Sequence, residues 1–81
     1  MSTPVGTGKL MQGKCRNGSS SCLSYAVRAG AGSGSAIAYH SPGRIYEELR
    51  QDGPWFEVMW VYDDGRYGTG WISGYDLEYL P

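Results

Sequence analysis

The chain has 81 residues, enough for one small domain with modest stability in reserve. Seven Lys plus Arg against eight Asp plus Glu leave a net charge of -1, which gives no electrostatic case for duplex nucleic acid or an anionic membrane surface. Hydrophobic residues at 41% and aromatic residues at 14% place it among globular chains whose core is built from large rings.

No apolar run approaches the roughly 20 residues that span a bilayer, so membrane insertion is not expected. The opening "MSTPVGTGKLMQGK" lacks the basic-then-apolar order of a signal peptide. Residues 1–8, with Pro, Thr, Ser and two Gly, read as a flexible tail. From Lys9 the text alternates strand and turn: "KLMQGKC", the Asn17-Gly18 turn pair, then "CLSYAVRA" with Leu23, Tyr25 and Val27 alternating. That reads as a hairpin over 9–27. Cys15 and Cys22 would face each other across it at bonding distance, stapling a thin core. Two free thiols in a reducing compartment are the open alternative. One histidine and two thiols fall short of the four ligands of a structural zinc, so neither a metal nor any other cofactor is expected.

The glycine-rich "GAGSG" superficially matches a phosphate-binding loop. Such loops open onto a helix N-terminus, whereas here "SAIAYHSPG" reaches a Pro-Gly turn within a few residues. The loop is read as a bend in a long hairpin. "RIYEELR", between Pro42-Gly43 and Asp52-Gly53-Pro54, is too short for a stable helix and is assigned to a strand. In "WFEVMWVYDDGRYGTGWIS", Phe56, Val58, Trp60 and Tyr62 fall on one face of a strand and Trp55, Glu57, Met59 and Val61 on the other. Asp64-Gly65 makes the tight turn, and the return strand runs through Tyr67, Thr69, Trp71 and Ile72. "SGYDLEYLP" reads as a short helical turn and a last strand. Phe56, Val58, Trp60 and Ile72 are the expected core.

Three of these stretches, taken together, resemble the bacterial SH3-like (SH3b) domain family. "AVRAGAGSGSAIAY" is similar to that family's opening strand and Gly-rich loop, "DGPWFEV" to its Gly-Trp-aromatic-x-Val strand, and "DGRYGTGWIS" to its Gly-Trp hairpin. The closing "YDLEYL" is similar to the family's Ser-Tyr-Leu end, and the resemblance covers residues 23–80 in order. Pro54, the Tyr67-Gly68 extension of the distal hairpin and the cysteine hairpin depart from the pattern. The Ala-Leu-Tyr-Asp-Tyr run of eukaryotic SH3 domains is absent. The expectation is an all-β domain over 9–81, a small SH3-like β-barrel of five to seven short strands with a short helical turn before the last strand.

His40 beside Ser41 makes no triad, and a surface or turn position is expected for it. Glu47-Glu48 and Asp63-Asp64 are adjacent on strands or in a turn and so do not pair as glycosidase carboxylates. No enzyme is expected. The resemblance implies instead a recognition module for peptidoglycan peptides, of the kind appended to cell-wall hydrolases and envelope proteins. Its groove would lie between the Gly30 to Ser35 loop, the Asp52-Gly53-Pro54-Trp55 loop and the Ser73-Gly74-Tyr75 turn. Tyr39, Trp55, Tyr67, Tyr75 and Asp52 are the candidate ligand-binding residues, with lids over the barrel ends as the alternative role of the rings. Location in the cell envelope or outside the cell follows if the domain belongs to an exported parent. The initial Met and the lack of a signal keep a second reading open: a small cytoplasmic protein, such as a phage or mobile-element product, that binds or inhibits a protein partner. A monomer is expected in either case.

Overall fold

The computed structural model describes residues 6–15, 22, 24–32 and 34–81. It is all-β, with strands β1 (Leu10–Gly13), β2 (Tyr25–Arg28), β3 (Ala36–His40), β4 (Ile45–Asp52), β5 (Trp55–Val61), β6 (Tyr67–Ser73) and β7 (Leu77–Tyr79). The seven form one antiparallel sheet in the order β3-β2-β6-β5-β4-β1-β7. A 3-10 turn, Gly74–Asp76, precedes β7 where the sequence calls for a helical turn, and the Ser73 side chain caps it through the Tyr75 N–H. At the β5–β6 turn Gly65 takes a φ of 89°, the conformation for which a glycine was expected there.

The alternation read along β5 holds. Phe56, Val58 and Trp60 point inward and are buried, as is Ile72 opposite Phe56 on β6. Met11, Tyr25, Val27, Tyr46 and Leu77 complete the core, with Ala38 packed against it. The Trp60 indole N–H is the one buried side-chain polar atom among the described residues that has no partner.

Three expectations change. The sheet does not close into a barrel: β3 and β7 are its two edges. Closure would require β7 to accept a second neighbour, and β7 is only three residues long. The 9–27 segment is not a hairpin either. β1 pairs with β4 and β7, while β2 pairs with β3 and β6, so the backbone groups that a hairpin would have used are already taken. The Asn17-Gly18 turn assigned within it lies outside the described residues. Cys15 and Cys22 are nonetheless bonded, with Cα atoms 5.7 Å apart. The third concerns the tail over residues 1–8, of which 1–5 lie outside the described residues. Thr7 is tied to β4, its N–H donating to the Glu48 carbonyl at 2.8 Å and its hydroxyl to the Glu48 carboxylate at 2.9 Å.

Candidate functional site

β4 carries a bulge between Glu48 and Arg50. Before it, Tyr46 and Glu48 point into the core; after it, Arg50 stands opposite Glu57 and Asp52 opposite Trp55, on the outer face. That shift assembles a transverse row. Arg50, Glu57, Trp71 and Arg28 lie side by side across β4, β5, β6 and β2. Arg50 is ion-paired to Glu57 at 2.9 Å and its guanidinium lies 5.1 Å from the Trp71 ring centroid. Trp71 is buried although it points away from the core, with the Arg50 guanidinium over its ring. The Arg28 guanidinium donates to the Gly34 carbonyl at 3.3 Å, fastening that loop to the row.

A second row beside it holds Asp52, Trp55 and Ser73. The Gly74 N–H donates to the Pro54 carbonyl at 2.7 Å, joining the Asp52–Trp55 turn to the 3-10 turn. From the other side Gly32, at a φ of 76°, comes so close that a Cβ there would stand 3.0 Å from the Trp55 indole nitrogen. Three segments far apart in sequence thus converge on one half-buried indole. Its surroundings offer Asp52, Tyr75 (70% exposed) and the backbone of the glycine loop.

Of the five candidate ligand-binding residues, Asp52, Trp55 and Tyr75 are brought together. Tyr67 shares the outer face but pairs with Val61 at the far end of β5, about 20 Å from Trp55 at the usual rise of a strand. Tyr39 is exposed on edge strand β3, opposite Ala26, and takes no part in the convergence. Gly32 lies in the Gly30 to Ser35 loop expected to wall the groove, whereas Arg50, Glu57 and Trp71, in the row beside it, were not singled out as ligand-binding residues. Trp71 and Glu57 are in register across a hairpin whose turn is legible, but Arg50 becomes visible only once the bulge is known.

Compared with protein-family models, with curated proteins and with solved structures, the chain finds no match in any of the three.

His40 is a correction. It is buried in the core, with Nδ1 2.7 Å from the Tyr46 hydroxyl, which is itself 2.6 Å from the Tyr25 hydroxyl. Its ring stacks near Tyr46 and meets Trp60 edge-on at 4.6 Å. The expectation of a surface histidine failed because "AIAYHS" gave no clear phase; pairing of Tyr25 with His40 across β2 and β3 turns both inward. Burial lowers the His40 pKa, and the Arg44 charge acts in the same direction. Burial raises Tyr46 and Tyr25, more than the hydrogen bond between them lowers Tyr25. The trio holds one another's polar atoms inside the core, which is a structural use of the groups. On the same strand as Tyr46, Glu48 is also buried and accepts from the Thr7 and Tyr79 hydroxyls, and the bond from Tyr79 raises the Tyr79 pKa.

Among the described residues no three or more His, Cys, Asp or Glu side chains gather as a metal site.

Proposed function

We propose that this chain is a non-catalytic recognition module with an SH3-like arrangement, which binds a peptide of the peptidoglycan type on the face around Trp55. The observation that carries the proposal is the convergence of the glycine loop, the Asp52–Trp55 turn and the Ser73–Tyr75 turn on that indole. A half-buried indole offers an apolar surface, and the Asp52 carboxylate and the backbone groups around it suit the amides and ammonium of a short peptide. The burial of His40 in a Tyr–Tyr–His cluster supports a non-catalytic role, since its Nδ1 is occupied by Tyr46 rather than by a nucleophile. The Cys15–Cys22 bond supports an envelope or extracellular location over the cytoplasmic alternative.

A two-dimensional amide NMR titration with soluble peptidoglycan fragments tests the reading. Shifts at Gly32, Trp55 and Tyr75 are expected. A spectrum unchanged at millimolar fragment would overturn the ligand class, and affinity capture of a protein partner would then be the next step.

A further inference from the structure

β3 is an edge strand, joined to the sheet by β2 alone. Its side chains give it little further hold. Ile37 is 54% and Tyr39 69% exposed, and Ala38, which packs against the core, is small. His40 is the one large side chain of the strand that is buried. Its ring reaches beyond β2 to strands in the middle of the sheet: Nδ1 lies 2.7 Å from the Tyr46 hydroxyl of β4, and the ring meets Trp60 of β5 edge-on at 4.6 Å. Burial of that ring is the tie between β3 and the far side of the core.

The tie suits a neutral ring. A neutral His40 accepts from the Tyr46 hydroxyl at Nδ1, and Tyr46 in turn accepts from Tyr25, so both hydroxyl protons are placed. A proton on Nδ1 makes it a donor, and the Tyr46 hydroxyl loses its acceptor. The groups around the ring offer the new charge no counterion. Tyr25 on β2, Tyr46 on β4 and Trp60 on β5 are uncharged, and the charge that acts on His40 is the like charge of Arg44, while Asp76 acts on Tyr25. A buried charge without a partner is costly, so proton uptake favours states in which His40 stands in water.

The smallest such state frees one strand. At the Ala36 end the neck of the glycine loop is held separately, by the Ala29 N–H on the Ser35 carbonyl at 3.0 Å and by Arg28 on the Gly34 carbonyl at 3.3 Å. We infer that β3 is an acid-released strand, latched to the core by the neutral His40 ring and let go over residues 36–40 when that ring takes up a proton. The opening ends at the loop neck, so the device is independent of what binds around Trp55.

The test is native-state amide hydrogen exchange of the full chain by NMR, at about pH 7.5 and about pH 5.5 and in low urea, with each rate referred to the intrinsic rate at that pH. Protection of the amides that join β3 to β2 is expected to fall about tenfold across that interval, the uptake of one proton by an open state whose histidine titrates at its ordinary 6.5. Low urea should leave those amides nearly unmoved while it speeds exchange in β5, because freeing one strand exposes far less surface than unfolding the chain. His40→Gln, neutral at both pH values, should abolish the pH response; if the variant does not fold, the two readouts on the native chain decide alone. A urea slope in β3 equal to that in β5 would make the opening part of global unfolding and overturn the inference. Protection in β3 indifferent to pH, or a drop retained in His40→Gln, would overturn it too.

Discussion

The Tyr46 hydroxyl lies 2.7 Å from Nδ1 of His40 inside the core, so the one histidine of the chain is a buried hydrogen-bonding group. Burial, reinforced by the Arg44 charge, holds its pKa below the ordinary 6.5. The unfolded chain takes up a proton near pH 6.5 that the folded chain refuses. His40 therefore contributes in full above that pH, and the contribution is lost as the pH falls below it. Urea midpoints measured from about pH 8 to about pH 5 should fall more steeply in the native chain than in His40→Gln; parallel curves would count against the assignment.

Removing the Tyr46 hydroxyl strands two partners at once. Tyr46→Phe leaves His40 Nδ1 and the Tyr25 hydroxyl without the group they share, at a cost of about 1–3 kcal/mol. Equilibrium unfolding in urea measures it. A Tyr25→Phe, Tyr46→Phe double variant should lose less than the sum of the two single losses, because the hydroxyls serve each other.

The Cys15–Cys22 bond closes a short loop. The chain-entropy account assigns such a loop about 2.5 kcal/mol, so Cys15→Ser with Cys22→Ser should lower the unfolding free energy by about that amount, with the fold retained. Dithiothreitol on the native chain should reproduce the drop, and should leave the double variant unaffected.

Gly32→Ala places a methyl 3.0 Å from the Trp55 indole nitrogen, at a φ of 76° that costs a side chain about 1–2 kcal/mol. The loop is expected to move away from the indole. Trp55 fluorescence should become more accessible to iodide, and binding on that face should weaken while unfolding stays cooperative; an unaltered quenching profile would separate the loop from the indole.

The inward face of β5, the Asp64-Gly65 turn and the 3-10 turn before β7 were legible because each is local: a period of two, a dipeptide with a required φ, a short polar pause. The meeting of Trp55 with the glycine loop was legible as an arrangement of loops, on the strength of family resemblance. What stayed hidden depends on partners distant in sequence. His40 has its phase set by Tyr25, and β1 is claimed by β4 and β7 rather than by the strand that follows it. Arg50 and Asp52 share the parity of Tyr46 and Glu48, so strict alternation sends them inward, and only the bulge reverses that.

The bulge at Leu49 makes β4 a strand of two halves with opposite polarity, the first written for the interior and the second for the solvent side. Lengthening the Gly53-Pro54 turn would leave both halves in phase. Drawing Leu49 into the ladder opposite Glu57, with every residue kept, would instead rotate Arg50 and Asp52 toward the apolar side and withdraw the ion pair, the ring contact and the acid beside Trp55 together. The outer face is thus held as a single unit by the one residue of β4 that stays out of the ladder, and it is kept or lost with the pairing of that residue rather than with any of its own side chains.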